Sequence, residues 1–310
     1  MLEKDFGELL PFLAAGSVGS GSERYGFDDE VSRDHDFEPG FCIFLPGEEI
    51  VDRRSAFLLE RAYAKLPKEY RGVKRQPISP VGGNRNGVIR TSDFYSAAVG
   101  SPTGDLPIEM WLTIYDSALA EAVNGEVFFD NFGEFSEIRN RIAEMPEDIR
   151  LKRLAGNLLI MGQSGQYNYA RCLRHGEPEA AQLACNEFVN AAMKTVFLLH
   201  GRYMPYYKWS FRALRQLEGG DILAGKLSSL LLGALPDKAS KAISDNPRGF
   251  TGNNAAKEDI IEEISSEIIA LLRGKNMTDS VGTDLESHAY SVNSRIRDGE
   301  IRNLHILAAV

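Results

Sequence analysis

In the second half of the chain, apolar residues recur every three or four positions over long stretches: 147–161, 178–201, 208–217 and 257–272. That period is the mark of an amphipathic helix. Four such segments bury their apolar sides by packing on one another, so the spacing predicts a helical bundle. The first half is patterned differently, with short apolar runs broken by Gly, Pro and Asp. Residues 41–45 (FCIFL) predict a buried strand ended by Pro46 and Gly47, and 53–65 predict an amphipathic helix. Residues 126–130 (EVFFD) predict a second strand, followed by a turn at Gly133 and a helix opening near Ser136 as its N-cap. Residues 3–14 are expected to be helical, 68–91 a long loop or irregular insertion, and 245–257 a polar connector. Pro146 marks the break between the two patterns. The expectation is an α+β chain divided into 1–146 and 147–310, the second part all helical.

With 310 residues, 43% hydrophobic and 25% charged, the chain can bury a substantial core. A net charge of −9 argues against a large basic surface, since non-specific nucleic-acid affinity comes from Lys and Arg neutralising phosphates. A small molecule or a protein is therefore the expected partner, with no nucleic acid. Cys42, Cys172 and Cys185 are too few and too scattered for a disulfide framework, which suits a reducing compartment. The N-terminal apolar stretch is short and preceded by acids, and no later stretch approaches the roughly 20 apolar residues of a spanning helix. No membrane association and a cytoplasmic location are expected.

The chemistry is concentrated in residues 19–45, GSGSERYGFDDEVSRDHDFEPGFCIFL. Asp34 and Asp36 stand at i and i+2, and on an extended backbone such a pair shares one face while His35 points to the other. Two hard carboxylates on one face suit Mg²⁺ or Mn²⁺, bound together with phosphate oxygens of a substrate. A Gly-Ser turn close by lets backbone N–H groups and a hydroxyl approach a polyphosphate. Together these predict phosphoryl-transfer chemistry, with Asp34 and Asp36 as metal ligands and catalytic residues.

This arrangement resembles the DNA polymerase β-type nucleotidyltransferase superfamily, in which a Gly-[Gly/Ser] pair precedes an acid-x-acid pair by about nine to thirteen residues. Gly21-Ser22, the eleven residues 23–33 and Asp34-His35-Asp36 fit, and Gly26 completes a GSxxxG form. Gly16-Ser17 lies too far from Asp34 and Gly19-Ser20 just fits, so Gly21 and Ser22 are the expected nucleotide-binding pair. More closely, the chain resembles the DUF4037 family of nucleotidyltransferase-like proteins through GFDDEVSRDHDF (26–37), NGEVFFDNFGEFSEIR (124–139), GQSGQYNYARCLRH (162–175) and YMPYYKW (203–209). The resemblance implies a small α/β nucleotidyltransferase domain with a mixed sheet followed by a helical domain, as in aminoglycoside nucleotidyltransferases. It further implies transfer of a nucleoside monophosphate from a nucleoside triphosphate, with ATP the expected donor, to an unidentified small-molecule or protein acceptor.

One part of the superfamily pattern is missing. Relatives carry a third acid on a neighbouring strand, whereas the matching stretch here reads Gly87-Val88-Ile89-Arg90. Glu109 and Asp130 are the geometric substitutes, and Asp28, Asp29 and Glu30 are candidates for a base. The alternative expectation is a nucleotide-binding regulatory module with weak or no catalysis. In the helical half, Tyr167, Asn168, Tyr169 and Arg171 and then Tyr206, Tyr207, Lys208 and Trp209 combine polar-tipped aromatics with cations. Lys208 is the expected phosphate contact there.

Overall fold

The computed structural model describes residues 1–31, 40–67, 69–70, 72–74, 86–232 and 251–310, the side chains of 73, 74 and 251–255 excepted. It has the α+β class expected, a small mixed sheet with many helices. Two compact units are formed, one from Met1–Pro107 with Ile114–Glu144, the other from Ile108–Thr113 with Met145–Val310.

The first unit opens with a short helix α1 (Leu2–Asp5), a 3-10 turn at Leu10–Phe12 and strand β1 (Ala14–Ser17). The helix expected over 3–14 therefore stops early. Pro11 falls in the 3-10 turn, and from Leu13 the chain extends so that Leu13, Ala14 and Ala15 can be buried in a sheet. Next come β2 (Cys42–Leu45), α2 (Arg53–Ala64), a small hairpin of β3 (Glu69–Tyr70) and β4 (Val73–Lys74), β5 (Gly87–Arg90) and α3 (Thr91–Val99). Helix α4 (Ile108–Thr113) belongs to the second unit; α5 (Asp116–Val123), β6 (Glu126–Asp130) and α6 (Glu134–Ala143) complete the first. Residues 68–91, read as a long loop or irregular insertion, hold the short strands β3 and β4 among the described positions, and β5 is the stretch Gly87–Arg90 that was matched to a strand of the superfamily.

The four-stranded sheet runs β5-β2-β1-β6, with β1 antiparallel to both neighbours and β2 parallel to β5. All four residues of β2 are buried, as a central strand covered on both faces requires. Alternation along β2 sorts its side chains. Ile43 and Leu45 face one core with Leu13, Val51, Leu59 and Tyr63, which α2 covers. Phe44 faces the other, stacked on Phe135 of α6 at 4.1 Å between ring centroids and edge-on to Phe94 of α3 at 5.3 Å. Tyr95 closes that side by donating its hydroxyl to the Phe135 carbonyl at 3.0 Å.

The helix after β6 begins at Glu134, with Gly133 at the cap position. Asp130 does the work expected of Ser136: its carboxylate accepts from Gly133 N–H at 2.8 Å and Ser136 N–H at 2.7 Å. The sheet end thereby supplies the anion that a helix N-terminus favours.

The second unit centres on α7 (Glu147–Met161), buried around nearly its whole circumference. It continues as a π-helical stretch (Gly162–Tyr169) into α8 (Ala170–Arg174), then come α9 (Pro178–Leu199), α10 (Tyr207–Leu214), α11 (Gly220–Leu232), α12 (Thr251–Gly274), α13 (Leu285–Ser294) and α14 (Gly299–Asn303). Helix α12 starts inside the stretch 245–257 that reads as a connector. Gly165 lets α9 close in, since a Cβ there would stand 2.3 Å from the Phe188 ring. Lys152 is fully buried on α7 and donates to Asn293 Oδ1 at 2.9 Å, the Leu304 carbonyl at 2.7 Å and the Arg302 carbonyl at 3.3 Å, fastening the C-terminal helices to the central one. Among the described residues no helix is long and apolar enough to cross a membrane.

Candidate nucleotide site

The Gly-Ser segment leaves β1 and forms a 3-10 turn over Ser22–Tyr25. Gly21 (φ 124°) and Gly26 (φ 67°) bound that turn in conformations that L side chains resist. The turn is closed by Phe27 N–H donating to the Ser22 carbonyl at 3.0 Å and Gly26 N–H to the Glu23 carbonyl at 3.3 Å. Ser22 Oγ donates to Asp28 Oδ1 at 2.8 Å at the surface. Gly16-Ser17, by contrast, lies inside β1, where a Cβ on Gly16 would stand 2.7 Å from the Glu126 carbonyl oxygen, so that pair serves sheet packing.

The turn rests on a buried cation that sequence reasoning missed. Arg24 is 4% exposed, and its guanidinium donates to Ser17 Oγ on β1, to the Gly40 carbonyl at 3.3 Å and to Asn86 Oδ1 at 2.5 Å just before β5. Glu23 Oε1 lies 3.5 Å from Arg24 Nε. One guanidinium thus holds together the turn, the end of β1 and the residues entering β2 and β5. An Arg between the two glycines of an acid-rich stretch was the available signal, but sequence alone does not separate a buried arginine from a solvated one.

A second clamp comes from Asn124. Its side chain accepts from Gly19 N–H at 2.8 Å and donates to the Gly19 carbonyl at 2.7 Å, so the loop leaving β1 is held as if paired to a strand. Tyr25 is pushed up to about 12 by burial, against a lowering hydrogen bond from Asn124 and with a further rise from the Glu121 charge, so its hydroxyl stays protonated at neutral pH. The neighbouring Gly125 (φ 71°) must be glycine, because a Cβ would lie 2.0 Å from the Ser17 carbonyl oxygen.

Asp34 and Asp36 lie outside the described residues. Of the suggested substitutes for a third acid, Asp130 has one oxygen on each of two backbone N–H groups of the α6 entry, and Glu109 is exposed on α4 in the second unit. Among the described residues no group of three or more His, Cys, Asp and Glu is arranged to hold a metal. Asp28 and Asp29 are exposed; Asp29 accepts from Val31 N–H at 3.0 Å.

Lys208 belongs to the second unit, exposed on α10, with Nζ 5.2 Å from the centre of the Trp209 ring and Arg212 Cζ 5.6 Å from the same ring. Tyr206 and Tyr207 are 50% and 73% exposed, so these rings are not core packing. The QYNYAR cluster divides: Tyr169 is buried, while Tyr167 is exposed and accepts from Arg171 at 2.7 Å.

No curated protein and no solved structure matches the chain. A family model does, from Trp111 on α4 to Ser210 on α10, covering β6, the rod of α7, π-helical stretch and α8, and α9. Three of the four stretches that carry the resemblance fall inside it, and the Gly-Ser turn lies before it. Residues 111–210 are a match to the family described as Domain of unknown function (DUF4037).

Proposed function

We propose that the chain is a metal-dependent nucleotidyltransferase that moves a nucleoside monophosphate from a nucleoside triphosphate, ATP in the first instance, to a hydroxyl of a small-molecule or protein acceptor. The observation that supports this most is the glycine-bounded turn Gly21–Gly26, held over the buried Arg24 guanidinium at the end of a strand antiparallel to β2. Such a turn offers amides and the Ser22 hydroxyl to phosphate oxygens, with a fixed positive charge beneath. Asp34 and Asp36 are the proposed metal ligands; Mg²⁺ bound there supplies charge neutralisation for the phosphates. In the reaction the acceptor oxygen bonds to the α-phosphorus, the bond from that phosphorus to the bridging oxygen breaks, pyrophosphate leaves, and the hydroxyl proton passes to a base. Lys208 is proposed as a phosphate contact.

A second reading, a nucleotide-binding regulatory module, is favoured by one observation: β5, the strand beside β2, carries no acid, and Asp130 is committed to capping α6. Calorimetry with ATP and Mg²⁺, beside a pyrophosphate-release assay over an acceptor panel, separates the two. Binding with release supports transfer, binding without release supports the module, and no metal-dependent binding rejects both.

A further inference from the structure

The whole-chain charge of −9 averages over a sharp segregation. Of the 35 Lys and Arg residues, ten lie between Arg53 and Ser92, together with two of the 44 Asp and Glu. That segment carries a net +8 while the remainder carries −17. Charge asymmetry on this scale is a statement about partners rather than fold.

Helix α2 shows how the charge is displayed. Its inner side, Leu59 and Tyr63 with Ala56, is used in the core. Its outer side runs Arg54, Leu58, Arg61, Lys65, spaced by four, three and four residues and therefore in one line along the helix, and all are exposed. At about 1.5 Å per residue the line extends for about 16 Å. Phe57, 56% exposed, flanks it, with Arg61 Cζ 5.9 Å from its ring centre. The exposed acid of the helix, Glu60, sits about 120° round from Arg54 on a helix of 3.6 residues per turn. Tyr70, on the hairpin that follows, is 70% exposed.

We propose that this face binds single-stranded nucleic acid, its phosphates along Arg54, Arg61 and Lys65 and its bases against Phe57. A line of cations with an exposed ring beside it is what a strand with a charge at every nucleotide and a flat face on every base can use. An anionic membrane is the poorer fit, because the apolar side of α2 is already buried and Phe57 and Leu58 alone offer too little to insert. The face shares no residue with the Gly-Ser turn, so the inference stands apart from the nucleotidyl-transfer reading.

The test uses the full chain without nucleotide or metal. Binding of a fluorescein-labelled 20-nucleotide poly(U) is followed by anisotropy from 50 to 200 mM KCl for the parent and for the triple variant R54Q/R61Q/K65Q, with circular dichroism to check folding. The expected result is salt-dependent binding by the parent, weakened at least tenfold in the variant. With about 0.7 lost per phosphate contact on a single strand, the slope of log K against log salt should shrink by about 2. F57A should weaken binding at every salt concentration with the slope unchanged, whereas losing charge alters the slope. Absence of binding, equal binding by the folded triple variant, or equal or tighter binding of phosphatidylserine vesicles or polyglutamate by the parent overturns the proposal.

Discussion

The Arg24 guanidinium donates to Asn86 Oδ1 at 2.5 Å across 62 residues of sequence, tying the turn after β1 to the entry of β5. Asn86 is itself 5% exposed, and a Cβ on Gly40 would stand 2.8 Å from its side chain, so the three residues are packed as one polar knot.

Breaking the knot should cost both stability and site geometry. Arg24→Met keeps much of the side-chain bulk but leaves Asn86, Ser17 and Gly40 without their shared donor. Hydrogen bonds to charged groups are each worth about 1.5 to 3 kcal/mol, and part of that is recovered by relaxation, so a loss of about 3 kcal/mol is expected in urea unfolding of the first unit. An unchanged midpoint means that the guanidinium is not holding these elements together.

Gly125 and Gly133 separate two causes of glycine dependence within one unit. Both have positive φ, but a Cβ on Gly133 meets nothing within 4 Å whereas one on Gly125 lies 2.0 Å from the Ser17 carbonyl oxygen. Gly133→Ala should cost about 1 to 2 kcal/mol from backbone strain alone. Gly125→Ala must also push β1 from β6 and should cost at least twice as much, read from paired thermal melts. Equal costs mean that the close approach carries no weight.

Asp284 caps α13 by accepting from Ser287 N–H at 2.7 Å, and that hydrogen bond from the Ser287 backbone is the largest of the influences holding its carboxyl below the usual value. A folded-state pKa below the unfolded one gives stability that is present above the unfolded pKa and lost as pH falls through the folded value. Asp284→Ala should therefore cost about 1 kcal/mol at pH 7. The gap from the parent should narrow steadily below about pH 4, where the unfolded carboxyl begins to take up its proton. Urea unfolding at pH 7, 4 and 3 reads this directly, and a gap that widens with acid contradicts the sign.

Lys208 is exposed and stands against the Trp209 ring. Lys208→Met retains the aliphatic packing and removes the charge. If Lys208 contacts phosphate, triphosphate affinity should fall roughly ten- to hundred-fold, the equivalent of about 1.5 to 3 kcal/mol, with nucleoside affinity far less affected. Equal triphosphate affinity at equal salt returns Lys208 to the solvated surface.

Helices α7, α9, α10 and α12 and strand β2 were legible in the sequence because apolar period and burial coincide there, and β6 was legible from its run of branched and aromatic residues although none of them is buried; α11, α13 and α14 were not singled out. Strand β1 was not, since Ala14-Ala15-Gly16-Ser17 has neither branched nor aromatic residues and owes its place to close packing beside Gly125 and Glu126. The Gly21-Ser22 turn was found through its glycines, whose positive φ is a local demand. Arg24, Asn86 and Asn124 were not, because their roles depend on partners 62 to 105 residues away in sequence. Net charge is likewise a sum over the whole chain, and it hides the basic run after Arg53.

Nucleotidyl transfer by this chain requires Asp34 and Asp36 to bind Mg²⁺ and ATP together with the turn at Gly21 and Ser22. The most direct measurement is calorimetric titration of ATP in Mg²⁺ and in EDTA for the parent, Asp34→Asn and Asp36→Asn, each variant first shown to melt like the parent. The parent should bind ATP far more tightly with Mg²⁺, and either substitution should abolish this metal-dependent gain. ATP affinity that responds to Mg²⁺ equally in all three proteins contradicts that requirement.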